Sequence, residues 1–455
     1  MFKQYIKLIS NTTPSKSWKV IRTVLNWITI PIKLLLIGLL GVFGIVYNKV
    51  AYKKRKPELR DFSLKNKQDR LKRILKTLPV VQNDQFDLYL PRNKMTDVLN
   101  GANHNTDHQC LRQGLYAMLM SKIGKRTFQM DNALTQFISD GRFLLRGYKW
   151  DFEKNKFVNN AQSVSGDMLL GLCLGMLDTD QTNPSQDFLI ESYDQLISSI
   201  IENDYSLIEM ERPKDAPYTE LYDEQLKELK NRKEDVRIKS SRAMWQPGLE
   251  TVGAQALTIL AALKVGAKKV KNRDAEKEYW KLFFKQGYSL LALLPTAYLP
   301  NRRGYFNDSN CINALYVLLR LADTALERMV YKFALRYVFN LSKSWYNPYF
   351  TGLVKEVVPS LVDDKYLKEV REYLYEEDPS IYAMDEATSI QSKLVPIPLS
   401  LLNSSEFPYE SKQDYYIVKG TGVAVRTGLG DLAAMVLLEE DLDFVLMPDN
   451  KAKLT

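Results

Sequence analysis

Between about residues 107 and 376, apolar positions recur every three to four residues in segments separated by polar turns that carry Gly or Pro. This is the period of helices that bury one face. The pattern predicts helices at about 107–123, 129–145, 166–177, 186–203, 219–232, 248–268, 273–293, 308–322, 324–342, 348–358 and 364–376, with hardly a strand among them. Beyond Glu386 the texture changes. The runs 415–419, 422–426 and 433–437 are short, apolar or β-branched, and bounded by Gly and polar residues, which predicts strands.

The helical segments are of two kinds. Those beginning near 107, 166, 248 and 308 are rich in Ala, Gly and Leu with few charges, whereas those near 129, 186, 273 and 324 carry charged faces. A helix that is apolar all round belongs inside and an amphipathic one outside. The alternation predicts an inner and an outer layer, with Gly114, Gly171, Gly175, Gly253 and Ala254 allowing the inner helices to approach closely.

Ahead of this domain, residues 27–47 read WITIPIKLLLIGLLGVFGIVY, with Lys33 as the single charge. As a helix, that length spans about 30 Å, the thickness of a bilayer core. Lys33 divides the run, but its stem can carry the ammonium back to the interface. Trp27 and Tyr47 close the two ends, where amphipathic rings prefer to sit. No small-residue cleavage site follows, so the expectation is an uncleaved single transmembrane anchor, with a basic arm at 1–26 and a basic stalk at 48–80. Five Lys or Arg precede Trp27 and six lie between Asn48 and Arg60, so flanking charge does not choose an orientation.

Charge changes the picture once it is located. Residues 1–80 hold 18 Lys and Arg against three acids, while the remainder holds 45 basic and 51 acidic residues, so the net +9 arises entirely beside the apolar segment. That points to anionic lipid headgroups and away from nucleic acid, for which no groove-reading motif is present. Cys110, Cys173 and Cys311 lie far apart without CxxC spacing, so no disulfide framework is expected.

The alternating series over about residues 100–375 resembles the α/α-toroid superfamily, which includes many glycoside hydrolases and polysaccharide lyases and some cyclases and isomerases. The resemblance is architectural and rests on no family motif. It implies a mainly α protein: an anchor, a concentric helical barrel at 81–386, and a strand-containing appendage at 387–455. It also implies a cleft where the inner helices begin.

Each expected inner helix opens with an acid: Asp107, Asp167, Glu250 and Asp308. As caps, these acids would satisfy orphan N–H groups and the helix dipole. As a hydrolase site, they would supply the two carboxyls that glycoside cleavage needs, with Asp167 and Glu250 the first pair and Asp308 the reserve. Trp150, Tyr148, Trp245, Tyr305 and Trp345 crowd the same loops and would serve as aromatic platforms for a sugar, or simply cap the barrel. The only histidines, His104 and His108, flank Asn103 and Asp107. Either could act as base with Tyr305 as acid in a lyase, Arg112 and Asn103 neutralising a uronic carboxylate, or could bond a loop carbonyl. No third ligand accompanies them, so no metal is expected. No Gly-rich phosphate loop, GxSxG or HExxH occurs, and no cofactor is expected. Cys110, between His108 and Arg112, is the one candidate for a thiol-dependent or His-dependent isomerase or cyclase. The alternative to an enzyme is a membrane-anchored binding or assembly protein, with the charged segment 211–240 as contact arm.

Overall fold

The computed structural model describes residues 109–139, 166–202, 252–285, 305–343, 347–376 and 429–439, and shorter pieces at 67–69, 71–72, 80–82, 86–89, 143–145, 147–151, 156–160, 205–210, 238–243, 288–291, 381–383, 423–425 and 442. It also describes eight positions between Val24 and Val42. The described chain is mainly helical. Six helices are buried nearly all round: α1 (Gln109–Lys122), α3 (Gly166–Met176), α5 (Val252–Val265), α8 (Tyr305–Arg320), α10 (Pro348–Val357) and α12 (Leu429–Leu438). The amphipathic helices are α2 (Phe128–Thr135), α4 (Asp187–Glu202), α6 (Arg273–Trp280), α9 (Ala325–Ser342) and α11 (Asp364–Glu376), and α7 (Tyr288–Leu291) is a single turn.

Local chemistry fixes the helix starts. Thr127, Asn272 and Asn347 each accept the backbone N–H three residues on, at the heads of α2, α6 and α10, and Pro348 supplies the N1 proline of α10. Thr324 and Glu327 close a capping box on α9. Neighbours then follow one another in order. α1 packs on α3, α3 on α5, α5 on α8, α8 on α10, α10 on α12, and α12 returns to α1. Outside them, α2 covers α1 and α3, α4 lies on α2 and α6, α6 on α5, α9 on α8, and α11 on α10.

The closest approach is α1 against α3, and it depends on glycine. A Cβ on Gly171 would fall 2.4 Å from the carbonyl oxygen of Cys110, and one on Gly114 would fall 1.7 Å from that of Gly171. Any side chain there forces the two backbones apart.

Several expectations are corrected. The segment 433–437 is not a strand: Leu432, Ala433, Ala434, Met435 and Leu438 are fully buried in α12, between α10 and α1. A helix buried on every side shows no period, so a short apolar run of this kind resembles a core strand. Helix α2 stops at Thr135, and strands β3 (Ile138–Ser139) and β4 (Phe143–Leu144) pair antiparallel on either side of the Asp140–Gly141 turn signal. Strands are also more numerous than expected. β4 continues parallel to β7 (Ser206–Met210), which pairs with β8 (Ile238–Ala243), while β5 (Gly147–Asp151) and β6 (Lys156–Asn160) form a hairpin, as do β1 (Val80–Gln82) and β2 (Asp87–Tyr89). The expected strand at 422–426 is present as β10 (Val423–Val425), paired with β9 (Ile381–Ala383). The expected strand at 415–419 lies outside the described residues, as does the expected helix at 219–232.

The basic stretch before the domain is not merely a spacer. Lys67 sits 2.6 Å from Glu439 at the end of α12, and Leu71 is buried in the same core. Among the described residues, no helix is long and apolar enough to cross a membrane. The described positions Val24, Ile28, Ile32, Leu35, Leu39 and Val42 are helical, with side chains 50–68% exposed.

Candidate functional site

The six buried helices have two distinguishable ends. At their C-termini, four of them are tied by charge. Glu356 of α10 receives Lys122 of α1 at 2.6 Å and Arg320 of α8 at 2.7 Å, and the other arm of Arg320 reaches Asp178, just beyond α3, at 2.9 Å. The Tyr316 hydroxyl donates to the same Glu356 at 3.0 Å, and its own ionisation is pushed well above the usual phenol range by burial and by the Glu356 charge. Near these ties, Arg126 donates to the Gly175 carbonyl in the last turn of α3 at 2.7 Å and pairs with buried Asp131. Cations at helix C-termini satisfy orphan carbonyls and the dipole together. This end is closed.

The shared C-terminal ties, with one contact between the starts of α1 and α3, show that α1, α3, α8 and α10 run parallel. The Cys110 thiol, in the first turn of α1, donates to the carbonyl of Met168 in the first turn of α3 at 3.3 Å. The Tyr349 hydroxyl, in the first turn of α10, donates to Asn313 Oδ1 of α8 at 2.5 Å. The N-termini of these helices therefore collect at the opposite end from the ion lattice.

There the buried side chains turn polar. Asp167 lies in the first turn of α3 at 0% exposure, and Arg112 on α1 is at 1%. On α8, Ser309, Asn310 and Asn313 are all buried, and Asn313 donates back to the Ser309 carbonyl at 2.9 Å. Asn310 Oδ1 is buried and accepts no hydrogen bond among the described residues. Buried amide oxygens are rarely left so, because the desolvation cost is not offset. Ser309, Asn310, Asn313 and Tyr349 are not among the residues expected from sequence. For α8 the signal was present as Ser309 and Asn313, four apart, in the segment expected to be an inner helix.

Of the expected site residues, Asp167, Arg112, Asp308, Tyr305, Tyr148 and Trp150 fall on described elements. Asp308 and Tyr305 occupy the first turn of α8, while Tyr148 and Trp150 sit on β5 in register with Asn159 and Phe157 of β6. Asn103, His104, Asp107, His108, Trp245, Glu250 and Trp345 lie outside the described residues. Asp167 differs from expectation in one respect: it is enclosed against α1 and does not face solvent.

Burial first, then the nearby Asp167 charge, pushes the Cys110 thiol well above its usual range, and burial pushes Cys173 up to about 12. A thiol nucleophile needs the reverse. All three cysteines are buried and none forms a disulfide, and among the described residues no group of three His, Cys, Asp or Glu could hold a metal. No family model, curated protein or solved structure matches this chain.

Proposed function

We propose that this chain is a membrane-attached α/α toroid that cleaves a glycan, as a glycoside hydrolase or polysaccharide lyase, at the rim where its inner helices begin. The supporting observation is the asymmetry between the two ends of the buried helices. One end is locked by Lys122, Glu356, Arg320 and Asp178, while the other gathers helix N-termini, a carboxyl and a row of uncharged polar groups. Amides and hydroxyls suit a polyhydroxylated ligand, and the N–H groups of helix starts favour developing negative charge. In a hydrolase, Asp167 works with Glu250 or Asp308 as acid and base. In a lyase, His104 or His108 removes the proton, Tyr305 returns one, and Arg112 with Asn103 neutralises the uronic carboxylate.

Residues 27–47 form the membrane anchor in this reading, supported by exposed apolar side chains at the described helical positions and by the basic flanks. Full-length protein should partition into the detergent phase. Recovery in the aqueous phase without detergent overturns the anchor.

The test of the activity is to screen the full-length protein against neutral and uronic polysaccharides, following new reducing ends and unsaturated uronate products. Asp167→Asn should lower the rate by about 10² to 10⁴, the usual loss of a general acid or base, with the fold retained. Full activity in that variant removes Asp167 from the site. The second reading, a non-enzymatic binding module, draws on the complete burial of Asp167, which suits a helix cap. Saturable binding of a protein partner with no turnover of any glycan would favour it.

A further inference from the structure

Helix α9 lies in the outer layer, and its inner face is well defined. Glu327, Tyr331, Ala334, Leu335 and Val338 are all at 0% exposure. Its outward face carries an apolar stripe beside a basic one. Leu326, Met329 and Phe333, spaced three and four apart and thus on one stripe, are 40%, 63% and 60% exposed. Arg328, Lys332 and Arg336, four apart, form an exposed basic stripe beside it. The only acid in the helix, Glu327, points inward and is paired with Lys264, so α9 presents no negative charge to solvent. Three other outer helices do: Asp187 and Glu191 on α4, Asp274 and Glu276 on α6, and Asp364 on α11 are all exposed, whereas the single acid of the short α2, Asp131, is buried against Arg126.

Large apolar side chains flanked by Lys and Arg, without acids, match a helix lying in the plane of an anionic bilayer, its apolar stripe among the acyl chains and its cations at the headgroups. We propose that the outer face of α9 is a lipid-contact surface, a second attachment that holds the globular domain against the membrane. This rests on the membrane reading of the chain but uses different residues. An anionic lipid surface is favoured over a protein groove by the run of three cations along the whole apolar stripe. Each basic residue near such a surface strengthens attachment about fivefold.

The native cysteines are all buried, so a single surface cysteine can be labelled selectively. Full-length Met329→Cys, carrying an environment-sensitive fluorophore, is mixed with vesicles of phosphatidylcholine alone or with phosphatidylserine. The expected result is a blue shift, and quenching by spin-labelled acyl chains, on the anionic vesicles. The same label at Phe188→Cys, on the acidic face of α4, should stay in water. Adding Lys332→Glu and Arg336→Glu should abolish the shift at position 329 while flotation persists through the anchor. A protein that floats with anionic vesicles but shows no lipid quenching at position 329 overturns the proposal and leaves the anchor standing. Failure to float with any vesicle overturns both. A shift that needs no lipid and grows with protein concentration assigns the face to a second copy of the chain and also overturns the proposal.

Discussion

Lys264 is a charged side chain only 2% exposed, held by an equally enclosed Glu327, and its removal should destabilise the fold sharply. Glu327 is engaged on every side. Oε1 accepts from Lys264 Nζ at 2.5 Å and from the Tyr279 hydroxyl at 2.6 Å, and Oε2 accepts from Asp323 N at 3.1 Å and from both Thr324 N and Oγ1 at 2.9 Å. The ammonium also lies 4.7 Å above the Tyr279 ring and 5.4 Å from that of Trp280. Lys264→Met keeps the stem but leaves the carboxylate buried without its countercharge, so the loss should be about 3–5 kcal/mol. Glu327→Gln keeps an amide oxygen for the capping box but removes the buried countercharge, leaving Lys264 only the half-exposed Asp323 at 2.9 Å, and should cost about 2–4 kcal/mol. The double variant should cost clearly less than the sum, because neither charge is then stranded. Urea unfolding, followed by far-UV circular dichroism and by tryptophan fluorescence, measures all three. Burial alone would raise the Glu327 carboxyl, but the donors outweigh it and hold it below the ordinary range. Its contribution is therefore complete above the unfolded value of about pH 4.3 and is lost as pH falls through the lower folded value. The gap between wild type and Glu327→Gln should stay constant near neutrality and narrow only in acid. A Lys264→Met cost under about 1 kcal/mol, or strict additivity in the double variant, refutes the reasoning.

Two further outcomes follow from the same packing. Gly171→Ala should lower stability by about 1–3 kcal/mol or more, seen as a lower Tm, because the new methyl meets the Cys110 carbonyl and the Leu111 backbone; an unchanged Tm would show that α1 and α3 stand further apart. Native protein at pH 8 should leave all three thiols unmodified by a disulfide reagent, with three reacting in denaturant, since each is buried and Cys110 and Cys173 are held protonated; one fast native thiol would contradict this.

What the sequence determines on its own is whatever has a local cause. The capping box at Thr324 and Glu327, the Asn-Pro start of α10, the amphipathic period of α4, α9 and α11, and the separation of charge between residues 1–80 and the remainder are all legible in neighbouring residues. The order of buried and outer helices is legible for the same reason, since composition alone separates α3 from α4. Tertiary structure decides what depends on partners far along the chain. The apolar run within α12 becomes a helix because it fills the gap between α10 and α1, and a segment buried on all sides carries no period to announce it. The pairing of Lys67 with Glu439 spans the length of the domain. The difference between the two ends of the buried helices likewise emerges only when Lys122, Asp178, Arg320 and Glu356, unremarkable singly in the sequence, meet at one end. Asp167 shows the limit most clearly. Its place in the first helical turn is legible, but whether it faces solvent depends on Gly114 and Gly171 drawing α1 against α3 until the carboxyl is enclosed.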